Sequence, residues 1–242
     1  MSSRPLFRCC LPSSAMALAS ALALLGMAPW ARAERIPLNV SLPSAGFEQI
    51  REQDGVRVFK HATSDIIRLG AEGRFAAPPE QVLAVLLDYP GHVGVIKRVS
   101  ESRVLQRGAD WLLVYQHLNL PVISDRDFTL RVRWGHTDDL RWIDYNAAPK
   151  LGPPARKGIV HVTTHHGSWQ LRPIEGGRAT FARMQTTIDL GGLLPKWLAR
   201  SGSGKEVPQL FFALRSLLQR GGTGTASATP ATGAAAGSGT GR

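Results

Sequence analysis

The sequence predicts an α+β fold in which one curved antiparallel sheet wraps around a single long C-terminal helix. Three observations lead there. Short segments with a two-residue apolar period recur between Val56 and Ile188, and turns rich in Gly, Pro and Asp separate them. One helical run interrupts them early, after Pro78-Pro79. An apolar stripe at helical spacing, Val207, Leu210, Phe211, Leu214, Leu217 and Leu218, closes the folded part. Such a sheet need not close fully on its helix, and the space left between them is an internal hydrophobic cavity.

The elements follow in order. Residues 56–61 read as a short strand after the turn Asp54-Gly55. Residues 66–75 are the next, with Ile67, Leu69, Ala71, Gly73 and Phe75 on one face and Arg68, Glu72 and Arg74 on the other. Pro78-Pro79 suits a first helical turn, where a missing N–H has no partner to lose. Val82, Leu83, Val85, Leu86 and Tyr89 carry that helix to Pro90-Gly91. Strands then follow at 99–106, 111–118, 121–132, 140–147, 159–165, 168–173 and 180–188. Residues 193–198 suggest a short helix, and Ser201-Gly202-Ser203-Gly204 a flexible joint before the final helix, read over 207–220.

The ends carry different information. Arg4 and Arg8 precede an apolar run over 15–29, and Ala31-Arg32-Ala33 has the small-x-small form of an export cleavage site. The run is about half the ~20 residues of a membrane-spanning helix. Residues 1–33 therefore read as a cleaved signal peptide, with an uncleaved inner-membrane anchor as the alternative. Both cysteines, Cys9 and Cys10, lie in that segment, so the mature chain would have no disulfide, thiol nucleophile or thiolate metal ligand. Residues 221–242 are Gly, Ala, Thr and Ser with little else, too few large apolar groups to offset ordering entropy, and read as a disordered tail. Between these ends, residues 34–220 suffice for one domain.

The 242-residue chain carries a net charge of +11. Three of its 29 basic residues lie in the export segment, leaving 26 against 18 acidic, a net of +8. Anionic lipid surfaces would suit that balance. Nucleic acid is disfavoured, because the basic residues are spread over strands and turns.

Arg126 raises the sharpest question, since it is in phase with Phe128, Leu130 and Val132. Two readings stand: a buried pair with Asp125, Asp127 or another carboxylate, or a contact to a ligand's polar end. Asp127 alternates outward as a structural group or strand-end cap. Gln116 falls on the inward face of the preceding strand with Leu112, Val114 and Leu118. These side chains, with Phe128, Leu130, Val132 and, from the final helix, Phe211 and Leu214, are the expected ligand-binding wall. His161, His165 and His166 fit a surface or pocket rim better than a metal site, which needs three or four ligands at defined spacing. Ser124 has no evident histidine base and no nucleophile-elbow glycines. No cofactor and no catalytic residue are expected.

Five stretches in this order resemble the START (steroidogenic-acute-regulatory-related lipid transfer) domain of the helix-grip superfamily. Residues 77–82 are similar to the start of its first helix, and 99–105 to its next strand. Ser124-Asp125-Arg126-Asp127-Phe128 resembles its Arg-Asp-Phe signature; 167–173 and 190–198 resemble its late strand and the approach to the last helix. The likeness spans 47–220. It implies a helix-grip fold with a tunnel for one lipid or sterol-like molecule, and an arginine able to face it at Arg126. Some family members carry an acid where this chain has Gln116, and the stretch 92–97 departs from the usual Trp-x-Pro-like sequence. Taken with the export segment, the resemblance predicts a periplasmic carrier, and the Gly-rich joint adds the expectation of a lid formed by the final helix and hinged at Gly202 and Gly204. Lys196, Arg200 and Lys205 are placed for transient membrane contact. The alternative is a cyclase or aromatase acting in the same cavity.

Overall fold

The computed structural model describes residues 35–62, 66–121, 123–192 and 203–224. The expected signal peptide, the short helix at 193–198, Gly202, Lys196, Arg200 and the chain beyond 224 lie outside these residues.

Alternating apolar and polar side chains build a ten-stranded sheet. Its strands are β1 (Phe47–Gln53), β2 (Val56–His61), β3 (Ile67–Phe75), β4 (Val99–Arg107), β5 (Trp111–Leu118), β6 (Arg126–Thr137), β7 (Leu140–Ala147), β8 (Val160–His161), β9 (Thr164–Ile174) and β10 (Ala179–Asp189). The spatial order is β1-β2-β3-β10-β9-β7-β6-β5-β4, with each neighbouring pair antiparallel. The two-residue β8 pairs in parallel with the start of β6.

Two helices complete the described fold. In α1 (Pro79–Leu87), Pro79 opens the first turn, and Pro79, Val82 and Leu86 are buried. The C-terminal helix α2 (Ser203–Gly224) buries Val207, Phe211 and Leu214. Its Phe211 ring stacks on Phe75 at 5.3 Å between centroids and lies 5.4 Å from Trp169. That approach needs Gly73, since a Cβ there would stand 2.8 Å from the Phe211 ring.

Three expectations are corrected. The chain has an additional first strand, β1, whose only buried residue is Phe47. Residues 164–174 are one unbroken strand rather than two; Gly167, where the break was expected, is crossed by its neighbours, because a Cβ there would meet Gln185 O at 2.2 Å and Tyr145 Oη at 2.4 Å. The final helix starts at Ser203, so Gly204 is helical and is no joint, and it continues past Gly221-Gly222 to Gly224.

Candidate functional site

Between α2 and the concave face of the sheet lies a cavity of about 370 Å³. Its wall is apolar: Leu69, Leu86, Leu130, Trp169, Met184 and Leu214 line it, each at most 6% exposed. Uncharged polar side chains interrupt that wall, among them Tyr89, His92, Gln116, Tyr145, His165 and Thr186. Lys97, Arg98 and Glu206 line the open side, with 53%, 28% and 37% of their side chains exposed. Glu206 Oε1 holds Lys97 Nζ at 3.5 Å and Arg98 Nη2 at 3.3 Å, joining the loop before β4 to the first turn of α2.

Register explains which expected residues reach this space. The rungs between β5 and β6 are Leu112 with Val132, Val114 with Leu130, Gln116 with Phe128, and Leu118 with Arg126. Gln116, Leu118, Leu130 and Leu214 line the cavity. Leu112, Val114 and Val132 are fully buried in the hydrophobic core and are not among the residues that line the cavity. Phe128 is covered edge-on by the His165 ring at 4.8 Å, so His165 presents to the cavity instead. Phe211 is held in the stack between Phe75 and Trp169.

Arg126 is 1% exposed and is not among the cavity-lining residues. Its guanidinium donates to three backbone carbonyls: Leu190 O at 3.3 Å, Gly191 O at 3.2 Å, and Ser124 O. Burial lowers its pKa, and Asp125 partly opposes that. Its hydrogen-bond partners are carbonyls rather than the expected carboxylate, and Arg126 ties the start of β6 to the chain leaving β10.

Asp127 does alternate to the opposite face, yet it too is buried, at 2% exposure. Its carboxylate accepts from Tyr115 Oη at 3.0 Å and sits 2.6 Å from His161 Nδ1. Arg156 donates to the same Tyr115 hydroxyl. With Val160 N donating to Asp125 O and Val162 N to Asp127 O, this cluster fastens β8 along β6. The three histidines are therefore not brought together. His161 belongs to this outer cluster, His165 to the cavity, and His166 pairs across strands with Thr187 and Asn146.

Burial disfavours the charged forms of the histidines and tyrosines on the cavity wall. His165 lies between the Phe128 and Tyr145 rings, at 4.8 and 5.3 Å. Burial, reinforced by His166, pushes its imidazole down to about 3. Burial pushes the Tyr145 phenol up to about 12, against a hydrogen bond with Thr186 that lowers it. Tyr89 is raised by burial and by Tyr145. His92 is lowered by burial while its Nε2 sits 3.0 Å from Val85 O.

Sequence reasoning missed Tyr89, Trp169 and Met184 as wall residues and placed His165 no further in than a surface or pocket rim. Their signal was present in part. His165, Gly167, Trp169 and Leu171 share one face of β9, a phase that a break at Gly167 hides. Tyr145 likewise follows Ile143 inward on β7.

No family model and no curated protein matches the chain. Solved structures do. A STAR-related lipid transfer protein fragment from Xanthomonas axonopodis is 23% identical over 72% of this chain and 99% of its own, with a TM-score of 0.65. Human STARD10 is 18% identical over 73% of this chain and 74% of its own, also at 0.65. Human StAR-related lipid transfer protein 5 is 21% identical over 74% and 89%, at 0.64. At identities of 18–23% this likeness is one of fold, and the chain, with its ten-stranded antiparallel sheet and long C-terminal helix, has the START-type helix-grip fold.

Proposed function

We propose that this protein is a carrier, taking one lipid or sterol-like molecule into its cavity and shielding it from water in the periplasm. The cavity between α2 and the sheet carries the reading. Its wall offers mainly apolar side chains with a few polar groups, the composition of a small-molecule site. Each Å² of apolar ligand surface moved into it is worth roughly 25 cal/mol. Two of the similar structures are named lipid transfer proteins, which supports the same reading.

The chemistry of the wall favours binding over catalysis. A cyclase-type enzyme needs an acid or base whose pKa is near working pH. His165, held at about 3, is a weak base, and Tyr145, at about 12, a weak acid.

Export rests on the basic start, the apolar run and Ala31-Arg32-Ala33. Transient contact with an anionic membrane is supported by exposed Val93, Lys97 and Lys205, which flank the open side of the cavity or start α2. Native mass spectrometry of protein purified from the periplasm tests the whole. A mature chain starting at Glu34 with one hydrophobic molecule bound is the expected result. A chain that retains residues 1–33 in the membrane would overturn the periplasmic location. A protein that neither carries nor takes up any hydrophobic molecule would overturn the carrier.

A further inference from the structure

We propose that the outer face of the sheet carries a second binding site, a polar recess that takes one oxyanion, the phosphate or carboxylate group of a small molecule or lipid headgroup. The site does not depend on what the apolar cavity holds.

Placement comes first. Side chains alternate between the two faces of a strand. Ile67, His165 and Ile188 line the cavity. Their chain neighbours Arg68, His166 and Thr187 line a recess of about 220 Å³ on the other face. Thr187 of β10 is the rung partner of both Arg68 on β3 and His166 on β9, so the three stand in one row across adjacent strands. The outer two start roughly 10 Å apart at the backbone, a gap that one small anion between them spans. Gln185 is two residues along β10 on the same face and lines the same recess. Ile36 and Ala45, from the chain before β1, complete its wall.

Hydrogen-bonding capacity comes second. Gln185 is 7% exposed. Its Oε1 accepts from Ile36 N at 3.3 Å, which fixes the orientation of the amide. The other end, Nε2, is buried with two N–H groups and no hydrogen-bond partner among the described residues. A buried donor left in that state is costly, and an anion in the recess relieves it. Thr187 adds a hydroxyl. Burial and the Arg68 charge lower the His166 pKa, so its ring is neutral at pH 7 with one N–H to give.

Charge comes third. No acidic side chain lines the recess. Arg68 lies 5.9 Å from the Phe47 ring and has no carboxylate at ion-pair distance among the described residues. Asp144, in the next row through Ser168 and Gln185, is already paired with Arg35 at 3.1 Å. A guanidinium with a row of neutral donors beside it suits an oxyanion, which takes charge-assisted bonds from all of them; a cation gains none.

The test titrates the protein with sodium phosphate, sodium acetate and, as the cationic control, choline chloride, at constant ionic strength, reading assigned backbone amide shifts by NMR. Saturable shifts centred on Arg68, His166, Gln185 and Thr187 are expected with an anion and not with choline. Arg68→Gln should weaken anion binding at least about tenfold, the loss of a charge-assisted partner. Gln185→Glu keeps the acceptor for Ile36 N and puts negative charge where Nε2 stands, and should weaken binding by at least as much. If one variant fails to fold, the other still decides the point. Shifts that do not saturate, shifts centred elsewhere, or an affinity unchanged in a folded variant would overturn the site and leave the carrier standing. Sedimentation with phosphatidate vesicles separates the sources. Cosedimentation that Arg68→Gln abolishes makes the anion a lipid headgroup; saturable phosphate shifts without it make the anion a free one, and both support the recess.

Discussion

Arg126 shows why an arginine in phase with a core is ambiguous by sequence alone. Its partners are carbonyl oxygens, two of them 64 and 65 residues away, and a carbonyl leaves no mark in the side-chain pattern. Charge-assisted bonds of this kind contribute about 1.5–3 kcal/mol each, so Arg126→Leu should destabilise the fold by at least that much. Ligand affinity per folded molecule should stay within about twofold, since 1.4 kcal/mol is needed for a tenfold change. Denaturant unfolding beside a binding titration checks both; lost affinity at unchanged stability would return Arg126 to the ligand site. His165 makes an opposite kind of prediction. Its folded pKa, about 3, lies below the ordinary 6.5, so between those values the unfolded chain binds more protons than the folded one. Stability should fall as pH drops from 6.5 toward 3 and be intact above 6.5. His92 and His166 are also lowered, so His165→Phe should flatten that slope without abolishing it. Melting temperatures of both proteins at pH 7, 5 and 4 would check this; equal slopes would mean that His165 stays hydrated.

Elements with strict periodicity were legible, and those whose pattern is set by distant partners were not. Strands β2, β5 and β7 have the bounds expected from their alternation. Strand β1 escaped because Phe47 alone is buried, and an edge strand with six partly or fully exposed residues shows no period of two. Strand β9 was cut in two because glycine usually marks a turn, whereas Gly167 is required by the Tyr145 ring crossing it. The site was readable only where the wall belongs to consecutive strands; its mouth joins Lys97 and Arg98 to Glu206, 108 residues away from Arg98. That joint bears on exchange. Pro208 inside α2 has no N–H to give the carbonyl four residues before it, so the first turn of the helix is weakly held by its own bonds. Glu206 then holds that turn to the loop before β4. Glu206→Gln should speed ligand release a few-fold and barely change melting, because partly exposed ion pairs contribute about 0–1 kcal/mol. Stopped-flow release of a bound fluorescent fatty alcohol measures it, and an unchanged rate would place the exit elsewhere.

At the scale of the whole molecule, binding and stability are one problem. A cavity of about 370 Å³ walled by Leu69, Leu130, Trp169, Met184 and Leu214 deprives those side chains of contacts on one side. The empty protein thereby forgoes packing that a filled core would have, and the bound molecule restores it. A ligand that binds only the folded chain stabilises it by about 2.7 kcal/mol at a free concentration one hundred times Kd. For a domain of this size each kcal/mol moves the midpoint by about 2–4 °C, so saturating ligand should raise Tm by about 5–10 °C. The shift should grow with the logarithm of ligand concentration and vanish when the space is filled from within. Leu130→Trp provides that control, since residue 130 lies on the wall where β6 faces the helix. Added bulk there should abolish the ligand-dependent shift even if overpacking lowers the melting temperature of the empty variant. Calorimetric scans of the delipidated protein and of Leu130→Trp, each with and without 1-dodecanol, separate the cases. A shift in the parent that is absent from the variant locates the molecule between α2 and the sheet; the same shift in both would locate it outside.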